Sequence, residues 1–192
     1  LSGAKGKAAG APARGADRKD TAPRRYTAHK AEEAVTLDGK LAEPAWRKAR
    51  PTRPFVTPDG GRVDAKNLSQ ARLTWDDTNL YVGFTVRDDD IWNDQKGRDA
   101  TLWKQDVGEV YLDPGADGKD YVELQFSPAG EMFDAKFDTR RQPKWEDAVK
   151  ALNMEGLAVK VEARGSVNKR DDGVTDRSWT ADRRDKADVL AS

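Results

Sequence analysis

No cysteine occurs among the 192 residues, which excludes disulfides, thiolate metal sites and a cysteine nucleophile. Histidine is nearly as scarce. His29 stands alone in a basic stretch ahead of the first strand pattern, where it reads as a solvent-exposed linker residue. Serine–histidine–aspartate machinery and histidine-held metals therefore have no base or ligand to use. No run of ~18 apolar residues exists, so no segment of this sequence reads as a transmembrane helix. Charge of one sign is missing as well: 34 basic and 34 acidic residues cancel, and neither a nucleic-acid reader nor an acidic tail is indicated. The glycines of the N-terminal stretch lack a preceding strand, so they form no phosphate-binding loop. A neutral partner suits what is left.

Residues 1–30 are rich in Ala, Gly, Pro, Lys and Arg, with Leu1 as the one large aliphatic side chain. Such a segment cannot bury enough surface to offset its ordering entropy, and it reads as a disordered basic tether. Its opening Leu1-Ser2-Gly3-Ala4 is similar to a bacterial lipoprotein cleavage box with Ala4 in place of the cysteine. That reading places the protein outside the cytoplasm, as a secreted, periplasmic or lipid-anchored outer-membrane protein.

From Val35 the pattern turns to strands. In "AVTLDGKLAEPAW" a short apolar run and an Asp-Gly turn precede Pro44, which suits the first turn of a short helix that delivers Trp46 to the core. "ARLTW" and "LYVGFTV" form a hairpin, with Leu80, Val82, Phe84 and Val86 on one face and Asp76–Asn79 as the turn. Trp75 and Trp92 read as packing residues of this hairpin and its exit. Further alternating strands are expected near 107–112, 121–127, 132–138 and 157–163, and "PKWEDAVKAL" as one or two helical turns. If 107–112 and 121–127 pair through the loop 113–120, Glu109, Tyr111, Glu123 and Gln125 share one face. Short, regularly spaced strands without long helical periodicity predict an all-β antiparallel sandwich over residues 31–181.

The segments "LDGKLAEPAW", "LTWDDTNLYVGFTVRDDDIW", "LWKQDVGEVYLDPGADGKDYVELQFSPAGEMFDAKF" and "GLAVKVEARGSVN" followed by "DRSWTA" resemble, in order and spacing, carbohydrate-binding module family nine. The resemblance covers roughly Val35 to Ala181. It implies a jelly-roll, DOMON-like sandwich that grips a sugar unit without catalysis and is braced by calcium. Carried over residue by residue, it places an aromatic wall at Trp103, a hydroxyl-binding carboxylate six residues on at Glu109, and polar groups of the next strand at Glu123 and Gln125. These residue types suit a sugar, whose C–H faces stack on rings and whose hydroxyls need partners once they leave water.

Asp113, Asp117 and Asp120 fall within eight residues of a glycine-bearing loop. They read either as a structural calcium site or as an ordinary acidic turn. Glu109 and Glu123 are the one carboxylate pair to name for glycoside hydrolysis, against which a polar binding face is the plainer reading. Two non-sugar readings stay open on the same fold. One is a cell-envelope adhesion or protein-interaction module; the other is a haem-binding domain using Met132 or Met154, which lacks a suitably placed histidine.

After "WTA" at Trp179–Ala181 comes the charge-dense segment 182–192. It reads as a disordered tail standing where the family has further strands and a second aromatic wall. The sandwich is therefore expected to be C-terminally incomplete, with an uncovered sheet edge open to self-association.

Overall fold

The computed structural model of the chain describes residues 22–169 and 177–186, with only the backbone for 182–186. It is mostly β, with two sheets forming a β-sandwich. The larger sheet has the order β1 (His29–Lys30), β2 (Ser69–Trp75), β3 (Asn79–Arg87), β8 (Ser178–Lys186) and β7 (Ala158–Arg164). The smaller runs β4 (Gly108–Leu112), β5 (Lys119–Phe126) and β6 (Met132–Thr139). Every ladder is antiparallel except the two-residue parallel pairing of β1 with β2.

The expected hairpin is β2–β3, with Trp75 opposite Leu80. Its turn is closed by Asp76, whose Oδ1 accepts from the backbone N–H of Thr78 at 2.8 Å and of Asn79 at 2.7 Å. One face of β3 then sends Val82 and Phe84 inward, with Leu80 and Val86 packed beside them. Phe126 of β5 completes this core, 5.1 Å edge-on from Phe84 and 6.0 Å from Trp179. These ring contacts join the two sheets. Gly108 is a packing requirement of the join, since a Cβ there would lie 2.3 Å from Cζ of Phe126.

Each sheet also carries a cover on its outer face. The short helix α1 (Pro44–Lys48) opens on Pro44 and buries Trp46 against Tyr81 of β3, as the sequence predicts. Gly83 makes that approach close, because its Cβ would meet Leu41 at 2.7 Å and Trp46 at 3.1 Å. Val35 and Leu37 pack into the same cluster without forming a strand, contrary to the strand-like reading of that run. On the smaller sheet, α2 (Trp145–Ala151) and a 3-10 turn at Leu102–Lys104 lie over Phe133, Ala135 and Phe137 of β6.

Three expectations need correction. The basic arm is not a free tether from Ala22 onward: the Tyr26 hydroxyl donates to the Arg50 carbonyl at 2.7 Å and accepts from the Leu73 N–H at 3.2 Å, and β1 follows. Residues 1–21 lie outside the described residues. Second, Asp182–Lys186 do not begin a disordered tail, because β8 continues to Lys186 between β3 and β7. β3 pairs with it along its whole length and β7 as far as Arg184, and that ladder overrides a side-chain pattern that looks unlike a strand. Residues 187–192 lie outside the description. Third, His29 is exposed as expected, but within β1 rather than in a linker.

Candidate functional site

Register decides what the outer face of the smaller sheet presents. Glu109 stands opposite Gln125, and Gln125 opposite Phe133; in the next row Tyr111 faces Glu123, and Glu123 faces Ala135. A third row holds Tyr121 opposite Phe137, their rings stacked at 5.2 Å. Side chains directly opposite on one face lie within reach of each other. The β6 end of these rows is covered by Leu102 and Ala148, while the β4 end is left open.

At the boundary stands Trp103. It is 38% exposed, and its ring meets Phe133 edge-on at 5.4 Å and Trp145 at 5.0 Å. Two buttresses hold one ring at a fixed angle with part of its surface in solvent. On the far side of the shelf Tyr111 is 55% exposed. Between them lie Glu109, Glu123 and Gln125. The four residues expected to contact a sugar thus belong to one face, with Trp103 at its margin.

The polar groups are hydrogen-bonded among themselves. The Tyr111 hydroxyl donates to Oε2 of Glu109 at 3.2 Å, and Nε2 of Gln125 donates to Oε1 of Glu123. Burial, followed by the neighbouring charge of Glu123, pushes the Glu109 carboxyl above its ordinary value. Burial and the same two carboxylates hold the Tyr111 hydroxyl well above the usual phenol range, so it stays a donor. Gln125 is 2% exposed, and its Oε1 is buried without a hydrogen-bond partner. A cleft of 640 Å³ adjoins the shelf and takes in Glu109 and Tyr111 on one side, with Phe55, Phe84 and Val86 across from them. That volume lies within the range of small-ligand sites.

The aspartates expected to hold calcium do not assemble. Oδ2 of Asp113 accepts from the Gly118 N–H at 2.8 Å, and Oδ1 of Asp117 from the Lys119 N–H at 3.0 Å. Asp120 is exposed. Among the described residues no group of three or more metal-ligating side chains could hold an ion. The loop uses Oδ2 of Asp113 and Oδ1 of Asp117 to close its own turn, and Oδ1 of Asp113 is buried without a hydrogen-bond partner. The methionines weighed as haem ligands pack together in the core, with Met154 buried and Met132 beside it.

Sequence reasoning missed Trp145. It sits in a helix with no strand pattern to flag it, yet its ring is one of the two supports of Trp103. Tyr111 was placed on the shelf, but its role as donor to Glu109 depends on side-chain geometry that alternation does not carry.

The fold and this face together are an antiparallel sandwich with an exposed tryptophan beside a carboxylate–amide shelf. The chain belongs to the carbohydrate family 9 binding domain-like family, whose model matches residues 37–162. Modules of that family are non-catalytic binding domains. Among solved structures it is similar to a family 9 carbohydrate-binding module from Caldicellulosiruptor kristjanssonii in complex with glucose: TM-score 0.52, 16% identity, covering 82% of this chain and 67% of that one. The complex of such a module from the same organism with cellotriose gives TM-score 0.51 and 17% identity, over 81% of this chain and 65% of that one. A candidate carbohydrate-binding protein from Bacteroides uniformis gives TM-score 0.53 and 13% identity, over 85% and 73%. These likenesses are of fold. The chain thus spans roughly two thirds of the length of the structures it matches. A comparison with curated proteins finds no match.

Proposed function

We propose that the protein is a non-catalytic carbohydrate-binding module that holds a sugar unit of an oligo- or polysaccharide on the outer face of β4 and β5. The observation that carries this reading is the row Glu109–Gln125–Phe133 with Trp103 standing against its last member. A pyranose stacks its C–H face on Trp103 and directs hydroxyls at Glu109 and Glu123, the latter held by Gln125. The solved modules in complex with glucose and cellotriose make β-1,4-glucans the first ligands to try. Tyr111 supplies an exposed aromatic surface across the shelf from Trp103. A sugar partner of this kind supports a location outside the cytoplasm, which fractionation of the native host tests.

Titration with glucose and cellotriose, followed by tryptophan fluorescence and calorimetry, is the direct experiment. Saturable binding that Trp103→Ala weakens supports the reading. A glycan array without a hit overturns it and moves the face to a protein partner, the adhesion reading.

A further inference from the structure

The shelf is short of donors. Gln125 has its amide orientation fixed by Glu123, because only Nε2 can donate to a carboxylate, and this turns Oε1 into a buried position where it has no partner. Tyr111 spends its single hydroxyl proton on Glu109. What the shelf still offers a ligand is therefore acceptors, the second oxygens of Glu109 and Glu123, while Oε1 of Gln125 is closed to solvent. Two carboxylates on adjacent rows of one sheet face also repel each other, and both are only part exposed. The groups acting on Glu109 are its burial, the charge of Glu123 and the Tyr111 hydroxyl, with no cation among them. Arg140 acts on Tyr121, in the third row. Two carboxylates held on one partly buried face are costly to keep charged together, and a cationic ligand group can relieve that cost.

Resting on the carbohydrate reading above, we infer that this site selects its sugar by charge: it prefers a hexosamine carrying a free ammonium group over the neutral sugar, and rejects the matching uronate. An ammonium brings three donors and a positive charge to a place that offers acceptors and negative charge. A uronate brings a third carboxylate there. A metal ion does not fill the same need, since no group of described side chains can hold one.

The test compares glucose, glucosamine and glucuronate by calorimetry at a pH that keeps the amine protonated and the sugar acid ionised. Glucosamine is expected to bind about tenfold tighter than glucose, the difference between a charge-assisted and a neutral hydrogen-bond set, and glucuronate at least as much weaker. Glu123→Gln keeps the shape of the shelf and removes one charge, so it should pull the three affinities together. Rising salt should compress the glucosamine-to-glucose ratio in the wild-type protein. If glucose binds and glucosamine binds no tighter, or glucuronate binds as well as glucose, charge selection is wrong and the carbohydrate reading stands. If none of the three sugars nor cellotriose binds, both fall together. A glucosamine preference that survives Glu123→Gln and Glu109→Gln unchanged also overturns the inference, because the selecting charge would then lie elsewhere.

Discussion

Asp134 on β6 is fully buried and forms an ion pair with the guanidinium of Arg98, a side chain that remains 34% exposed. The second carboxylate oxygen of Asp134 accepts from the backbone N–H of Met154 at 2.7 Å. One aspartate thus ties the loop before Trp103 and the segment after α2 to the inner side of β6. Phe133 and Ala135, its neighbours in the strand, face the other way, toward Trp103 and α2. The pair thereby fixes the strand that supports the shelf.

The two halves of this pair are not equivalent. Arg98→Ala leaves a buried carboxylate with no counter-charge, and should cost about 3–5 kcal/mol. Asp134→Ala leaves Arg98 its second partner, Asp99, and strands mainly the Met154 N–H, a loss of about 1–3 kcal/mol. Urea unfolding of the two variants checks the order; a larger loss for Asp134→Ala would mean that the carboxylate's backbone bond, not its charge, is what matters.

Trp103 should be a binding residue far more than a stability residue. Trp103→Ala removes a stacking surface worth about 1–3 kcal/mol of sugar affinity and leaves the far-ultraviolet spectrum unchanged. Trp145→Ala acts indirectly, by letting the Trp103 ring move, so it should weaken binding less and lower the melting temperature more, since α2 loses its packing on β6. Calorimetry with cellotriose and thermal melts separate the two effects. Equal binding losses from both variants would place Trp145 in direct contact with ligand.

Much of this architecture can be read from alternation alone. The β2–β3 hairpin, the β4–β5 pair and the inward Trp46 follow from period-two patterns and from a proline in the first turn of a helix, where local chemistry and global fold agree. The shared face of Glu109, Glu123 and Gln125 follows from pairing parity once the 113–120 loop is taken as a hairpin. Sequence fails where a long-range ladder decides. Asp182–Lys186 carries no strand pattern and is a strand because β3 pairs with all of it and β7 with it as far as Arg184. The loop aspartates looked like metal ligands because Asp and Gly serve calcium sites and tight turns alike. Their hydrogen bonds to Gly118 and Lys119 show the turn, which alternation does not carry.

Glu109 should trade stability for binding. Burial and the charge of Glu123 raise its carboxyl above the unfolded value, so the folded state favours the protonated form, and its contribution to stability is lost as pH rises through the folded value. Glu109→Gln imitates the protonated form. At neutral pH it should raise the melting temperature slightly while weakening sugar binding, and Glu109→Ala should weaken binding further. A lower melting temperature for Glu109→Gln would show that the charge is compensated in the fold and would remove the basis for reading it as a ligand-facing group.

Asp106, at the rim of the adjoining cleft, gives the clearest pH signature. Its Oδ2 accepts from the Trp92 N–H at 2.6 Å, yet burial, then the neighbouring Asp88 and Asp90, outweigh that bond and push the carboxyl up to about 6 from an ordinary 3.8. An acid with a raised folded value binds its proton more tightly when folded, so the favourable contribution is complete at low pH. It falls between about pH 4 and pH 6 and is gone above that window. Because the residue is only part-buried, solvent screening reduces the effect to about 1 kcal/mol. Asp106→Asn keeps an oxygen for Trp92 and deletes the charge that Asp88 and Asp90 oppose. The wild-type protein should therefore melt lower at about pH 8 than its other groups would dictate, and Asp106→Asn should raise the melting temperature there while changing it little at about pH 4, where Asp106 is already protonated. A variant that gains nothing at the higher pH would mean that Asp106 is relieved by a partner. A variant that loses stability at both would mean that the carboxylate, and not merely an acceptor at that position, holds the Trp92 turn.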